Sequence, residues 1–293
     1  MAKKPVRRRI LPAGSLLPQT RRLLRRFGLQ ARKGLGQHFL IDEEVLKRIV
    51  ASAELSAGDI VLEIGPGLGV LTRELASKAG RVVAIELDSK LAAILKETLA
   101  SFNNVAIVNA DILDLDPAQL IPEQTGYKVV ANLPYYIASA VLRRFLEAPL
   151  KPEIMVVMVQ KEVAEVIVAK PGQMSLLSVS VQFYGKPEII DYVPAHCFYP
   201  PPEVDSAILR IDLYPQLAVA VADEKSFFEL VRAGFTASRK QLPNSLALGL
   251  GMPKAEVIPL LETAGIMCQR RAETLTLEEW QRLWQILGER QKC

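Results

Sequence analysis

The segment Asp59-Ile-Val-Leu-Glu-Ile64 runs directly into Gly65-Pro66-Gly67-Leu68-Gly69 and then into a helical stretch from Val70 to Ala79. A short apolar strand, a glycine turn and a helix in immediate succession read as the opening unit of a parallel α/β sheet. Glycines at such a turn let the backbone approach a ligand closely at a helix N-terminus. The spacing is Gly-x-Gly-x-Gly, and Val70 stands where the dinucleotide fingerprint carries its third glycine. A second strand, Arg81 to Ile85, ends in Glu86 about twenty residues beyond the turn, where an acid can accept both hydroxyls of a ribose. A third, Val105 to Val108, brings Asp111 to the same edge, within reach of an adenine ring, and a fourth, Lys128 to Ala131, leads to Asn132-Leu133-Pro134-Tyr135. Singly, Glu86 and Asp111 also read as solvated helix caps, and the last four residues as an ordinary turn. Delivered in order to the carboxyl edge of one sheet, where open α/β sheets bind ligands, they read together as a site.

The chemistry of Asn132-Leu133-Pro134-Tyr135 suits the exocyclic amine of an adenine. That nitrogen's lone pair is conjugated into the purine, so it attacks an electrophilic methyl group only when acceptors draw its hydrogens toward a tetrahedral arrangement. The Asn132 side-chain oxygen and the Leu133 carbonyl supply two acceptors, while Pro134 fixes φ and removes a competing donor. Tyr135 offers a flat face for a base taken out of its helix. In-line methyl transfer needs orientation and dehydration more than acid/base power, and no catalytic His or carboxylate is required.

Six ordered motifs carry a resemblance to a known family. They are Gly34-Leu-Gly-Gln-His-Phe-Leu-Ile-Asp42, Glu63-Ile-Gly-Pro-Gly-Leu-Gly-Val-Leu-Thr72, Ala84-Ile-Glu-Leu-Asp88, Asn132-Leu-Pro-Tyr-Tyr-Ile-Ala-Ser139, Gln160-Lys-Glu-Val-Ala164 and Phe198-Tyr-Pro-Pro-Pro-Glu-Val-Asp-Ser206. From about Phe27 to Leu287 the chain resembles the small-subunit (16S) ribosomal RNA adenine N6,N6-dimethyltransferases. The resemblance implies a Rossmann-like class I methyltransferase fold with a seven-stranded, mostly parallel sheet and S-adenosylmethionine as cofactor. It places cofactor contacts at Gln37, His38, Leu40, Gly65, Gly67, Glu86, Asp111 and Asn132, and the target base at Asn132, Leu133, Pro134 and Tyr135. It also suggests that Phe198, on the stiff proline loop, covers the base face opposite Tyr135. Without the resemblance Phe198 reads better as a core plug beneath a loop. The implied substrate is a pair of adjacent adenosines in the 3′-terminal hairpin of 16S ribosomal RNA within the 30S subunit or its precursor, each dimethylated. Tyr136 and Ala138 depart from the family pattern, which commonly shows Asn and Ser there, and so bear on the detailed shape of the pocket.

Charge is segregated along the chain. Residues 1–33 hold eleven of the 36 Lys and Arg and none of the 32 acids, which leaves the remaining 260 residues at a net −7. Such an arm attracts phosphates without regard to sequence. Arg-rich, acid-free composition also fits an organelle transit peptide, whereas Leu11-Pro-Ala-Gly-Ser-Leu-Leu-Pro18 is too short and too broken by prolines for a secretion signal. Three widely spaced cysteines, Cys197, Cys268 and Cys293, and two isolated histidines argue against disulfides or a metal centre. No apolar run reaches the roughly 18 residues of a membrane span. A cytoplasmic monomer is the expectation.

Downstream, Ile154 to Val159 reads as a fifth strand and Gln160 to Ala169 as a helix stopped by Pro171-Gly172. Ser175 to Phe183 reads as helix, and Glu188 to Val193 with Ala207 to Leu213 as a closing antiparallel pair joined by the proline loop. From Asp223 the pattern is helical, with breaks at Leu242-Pro243, Gly249 to Pro253 and Gly265. The expected organisation is a disordered basic arm over 1–26, a catalytic domain over 27–215 and a small helical domain over 216–293. In the last, Arg239, Lys240, Arg270 and Arg271 are candidate phosphate contacts or scattered surface charge. Three other readings stand beside the main one: an erythromycin-resistance-type methyltransferase of large-subunit ribosomal RNA, a DNA adenine methyltransferase (which more usually carries Pro at the position of Leu133), and a non-catalytic ribosome-assembly factor of the same fold.

Overall fold

The computed structural model describes residues 15–290 except Lys33, Leu35 and residues 123–125. Among the described residues nine strands occur in chain order: β1 Phe39–Leu40, β2 Ile60–Ile64, β3 Arg81–Glu86, β4 Val105–Asn109, β5 Lys128–Asn132, β6 Ile154–Gln160, β7 Gly185–Val193, β8 Phe198–Tyr199 and β9 Ser206–Leu213. The helices are α1 Leu17–Arg26, α2 Glu43–Ser52, α3 Val70–Ala76, α4 Ser89–Thr98, α5 Ala138–Leu146, α6 Lys161–Ile167, α7 Leu176–Tyr184, α8 Glu224–Phe235, α9 Leu242–Leu250, α10 Lys254–Thr263 and α11 Leu277–Arg290. Seven strands form one sheet in the order β4-β3-β2-β5-β6-β9-β7. The five from β4 to β6 run parallel, and β9 and β7 close the sheet as the antiparallel pair expected on either side of the proline loop.

Burial on both faces explains why the central strands read as unbroken apolar runs. Along β2 the side chains divide by pleat: Leu62 and Ile64 join the cluster that holds α5, α7 and the C-terminal helices, and Val61 joins the cluster that holds α2 and α3. The sequence order winds outward from β2 in one direction and from β5 in the other. The two strands therefore flank a switch point, with an open crevice beyond their carboxyl ends.

The C-terminal helices are welded to the sheet layer rather than tethered to it. Phe183 of α7 stacks on Phe227 of α8 at 4.9 Å between centroids and meets Phe228 edge-on at 5.1 Å. Trp280 of α11 is fully buried against Gly234, where a Cβ would lie 2.3 Å from the indole Cη2, so this position admits no side chain. The change near residue 215 is thus from sheet to helix without a break in the core. Pro243 sits in the first turn of α9, where proline is tolerated, so the expected interruption at Leu242-Pro243 is a helix start.

One expectation is corrected. Residues 17–26 of the basic arm form helix α1, with Pro18 in its first turn; residues 1–14 lie outside those described. Leu17, Thr20 and Leu24 make a buried stripe, and Leu24 joins Phe39, Leu68 and Leu91 in a small apolar cluster. Arg26 pairs with Glu97 of α4 at 2.6 Å. A ten-residue helix is marginal alone, so docking of this stripe is what orders the segment. The arginines lie at the stripe's flanks and leave it uninterrupted.

Candidate active site

Four strand ends converge at the switch point, and each carries the residue the sequence assigns to it. Gly65 follows β2, Glu86 ends β3, Asp111 lies just beyond β4 and Asn132 ends β5. Together with Gln37, His38 and Leu40 they line one cavity of about 220 Å³. Gly67, Leu133, Pro134 and Tyr135 line it too.

The glycine turn is shaped by its own backbone. Gly65 N–H donates to the Ile85 carbonyl at 2.9 Å, which ties the turn to the neighbouring strand. Gly67 adopts φ +58°, a conformation that favours glycine, and a Cβ there would stand in tight contact, 3.2 Å from the Phe39 ring. Its N–H donates to Glu86 Oε2 at 3.1 Å, and Glu86 Oε1 accepts from Asp88 N–H at 2.9 Å. Burial raises the Glu86 pKa above the usual carboxylate value despite these bonds. The helix cap in this region is Asp88, whose Oδ1 accepts from Lys90 N–H at 2.9 Å at the start of α4. Glu86 is left to face the cavity. Asp111 closes a tight turn through Leu113 N–H at 2.9 Å and still contributes to the cavity wall.

Asn132 is oriented by a single contact. Its Nδ2 donates to the backbone carbonyl of His38 at 3.1 Å, which settles which way round the amide lies and leaves Oδ1 as an acceptor. Among the described residues no hydrogen bond occupies Oδ1. Leu133 N–H donates to the Met158 carbonyl at 3.2 Å and continues the β5–β6 ladder past the strand end. Tyr135 is held by its hydroxyl, 2.7 Å from Ser206 Oγ, and by the His38 ring stacked at 5.8 Å. Burial raises the Tyr135 phenol pKa. His38 Nδ1 meets the Pro200 carbonyl at 2.7 Å and so carries the proton there. The side chain of Gln37 accepts from Arg32 N–H at 2.9 Å, and Arg32 pairs with Asp88 at 3.2 Å.

Phe198 is placed otherwise than the resemblance suggests. It is 2 % exposed, belongs to the apolar cluster of α2 and α3, and does not line the cavity. Strand β8 pairs antiparallel with β1, Phe198 opposite Leu40 and Tyr199 opposite Phe39, and this clamp holds the ring inside. The core-plug reading describes Phe198 in this structure.

Sequence reasoning assigned no role to Glu63, which the structure puts in the cavity wall. It is 1 % exposed, and its Oε2 has no hydrogen-bond partner. Burial drives its pKa up to about 8, and the neighbouring Glu86 adds to the rise. The available signal was a lone acid in a strand whose other side chains are all apolar.

The chain is similar to known proteins over most of its length. The family model described as ribosomal RNA adenine dimethylase matches residues 28–289. The ribosomal RNA small subunit methyltransferase A of Dehalococcoides mccartyi is 53 % identical over 276 residues, 94 % of each chain. Its counterpart from Pelotomaculum thermopropionicum is 45 % identical over 272 residues, 89 % of this chain and 92 % of that one. Among solved structures, the 23S rRNA methyltransferase ErmE superposes with a TM-score of 0.68 at 33 % identity, over 85 % of this chain and 99 % of the other. A dimethyladenosine transferase from Plasmodium falciparum shares the fold with a TM-score of 0.74 at 24 % identity, over 87 % of this chain and 98 % of that one. With the family model spanning all but the two ends and the strand-end residues gathered in one cavity, the chain belongs to the ribosomal RNA adenine dimethylase family.

Proposed function

We propose that this ribosomal RNA adenine dimethyltransferase acts on the small-subunit (16S) RNA within the 30S subunit or its precursor. It places two methyl groups on the N6 amine of each of two adjacent adenosines in the 3′-terminal hairpin loop, with S-adenosylmethionine as donor. The observation that carries the reading is the Asn132 amide, locked by the His38 carbonyl so that an oxygen acceptor faces the shared cavity.

The cavity fits a cationic nucleoside. Its wall holds an orphaned carboxyl oxygen on Glu63, and at Gly67 a Cβ would close the cradle against Phe39. Glu86 and Asp111 would accept from ribose and adenine, and Gln37, His38, Leu40 and Gly65 would border the rest. When bound, the cofactor supplies a methyl group already activated on a sulfonium. The protein's own contribution is positional. Asn132 Oδ1 and the Leu133 carbonyl accept the two N6 hydrogens and turn the nitrogen lone pair out of conjugation. Tyr135, fixed by Ser206 and His38, supports the plane of the base. Loop adenosines are unpaired and cheap to extrude, which suits a pocket of this kind. The basic arm, with α1 presenting Arg21, Arg22, Arg25 and Arg26, supplies phosphate attraction beside it.

A large-subunit substrate is the second reading, favoured by the likeness to ErmE. The relatives at 45–53 % identity, which are named for the small subunit, weigh the other way. Transfer of tritium from labelled cofactor to unmethylated 30S particles, with large-subunit RNA offered in parallel, tests the proposal, and primer extension on both RNAs locates the product. Label confined to large-subunit RNA, or no label at all, refutes it.

A further inference from the structure

Among the described residues, Leu87 and Tyr136 are the exposed large apolar side chains that line the cavity; the others lie elsewhere on the surface. Leu87 follows the ribose-side acid Glu86. Tyr136 is on the opposite rim, beside Asn132, and is 58 % exposed. Leaving an aromatic ring in water at the entrance to a site forgoes the gain from burying it, unless a ligand completes its burial.

The turn that carries the ring is also fixed. Tyr135, Tyr136 and Ile137 form a single 3-10 turn, closed by the Ile137 N–H to Pro134 carbonyl bond at 3.1 Å and anchored through Tyr135 to Ser206 at 2.7 Å. Gly36 provides its seat: a Cβ there would touch the ring at Cδ1 (3.4 Å) and Cε1 (3.6 Å). The Tyr136 hydroxyl makes no hydrogen bond among the described residues, so the polar end points to no internal partner. A flat ring with few rotatable bonds on an anchored turn is an efficient platform because little conformational freedom is lost when a ligand stacks on it.

We propose that Tyr136 is a substrate-positioning residue that stacks against the nucleobase adjacent to the target adenosine. This rests on the reading that an adenosine of ribosomal RNA enters the cavity at Asn132. Consecutive residues of one turn, about 3.8 Å apart at Cα, then offer consecutive rings to consecutive bases: Tyr135 deeper in the cavity to the extruded adenine, Tyr136 at its exposed rim to its neighbour. Single-stranded RNA is commonly held in this way, by aromatic rings that take successive bases. The platform keeps the neighbouring base beside the entrance, which fits a substrate in which that neighbour is itself an adenosine awaiting methylation.

The test measures steady-state methylation of unmethylated 30S particles by the full-length enzyme and by Tyr136→Ala, Tyr136→Leu, Tyr136→Phe and Tyr136→Trp. Loss of one stacked base predicts a KM for particles raised roughly tenfold or more in the Ala variant. Its kcat at saturating particles should stay within about twofold of wild type, and its affinity for S-adenosylhomocysteine and its Tm should not change. Phe and Trp should restore KM, whereas Leu, apolar but not flat, should not. An unchanged KM in the Ala variant overturns the proposal. So does restoration by Leu as complete as by Phe, or a loss of S-adenosylhomocysteine affinity matching the rise in KM, which would make Tyr136 a wall of the cofactor site. Wild-type enzyme that fails to methylate the particles refutes the small-subunit assignment itself, and the platform with it, so the two failures are distinct.

Discussion

Replacing Glu63 by Gln isolates the electrostatic cost of the more deeply buried of the two buried acids in the cavity wall, Glu63 and Glu86. In the folded protein its carboxyl titrates near 8, against an ordinary 4.5. The folded state therefore keeps a proton that the unfolded chain has lost throughout that window, and stability falls as pH rises from about 4.5 to about 8. At 1.36 kcal/mol per unit the ceiling is about 5 kcal/mol, and the effective polarisability of a real protein interior lowers it to roughly 2–3 kcal/mol. The amide of Glu63→Gln cannot titrate, so the variant should gain on wild type progressively across the window, by about 4–10 °C in Tm at the upper end. The assay is paired thermal or urea unfolding of the cofactor-free proteins at half-unit steps from pH 5 to 8.5. Parallel curves would show that Glu63 is ionised in the folded state and would refute the reasoning. A cationic ligand reverses the local field, so calorimetry in buffers of different ionisation enthalpy should show proton release on cofactor binding at neutral pH by wild type but not by the variant.

Asn132→Ala removes the oriented acceptor and should lower kcat by about 10²-fold or more, by analogy with losing one preorganised hydrogen-bonding group at a reacting centre; unchanged turnover would remove the acceptor pair from the mechanism. Filter binding should show RNA affinity nearly intact. Deleting residues 1–26 should weaken RNA binding and flatten its dependence on salt, by about one unit of slope for each phosphate no longer neutralised; because Leu24 shares an apolar cluster with the cavity residues Phe39, Leu68 and Leu91, the same deletion should also weaken binding of S-adenosylhomocysteine. Phe198→Ala should cost about 3–5 kcal/mol of stability in urea unfolding, whereas a variant of unchanged stability and raised KM for RNA would restore Phe198 to the target base.

The sequence determined the sheet and its functional edge by itself. Strand β2, the glycine turn and α3 are contiguous, and local rules fix them: a buried run of apolar residues, positive φ that glycine alone adopts freely, and a helix that starts where the turn ends. The same holds for Glu86, Asp111 and Asn132, because in a parallel sheet every strand end falls on one edge whatever surrounds it. What only the tertiary structure decided depends on neighbours far away in the chain. Glu63 looks like any acid until burial on both faces of the sheet shows that no water or partner reaches Oε2. Phe198 lies in the core because β8 is clamped by β1, a pairing across more than 150 residues that no local pattern announces. Helix α1 had its stripe at Leu17, Thr20 and Leu24 in plain view, yet so short a helix gains little from its own hydrogen bonds and the arginine count dominates the composition. Its docking surface is assembled from β1, the glycine turn and α4, and so exists only once the sheet has folded. The orientation of the Asn132 amide is likewise set by the His38 carbonyl, 94 residues away. Local sequence places groups on an edge; the direction in which each group points is settled by what packs behind it.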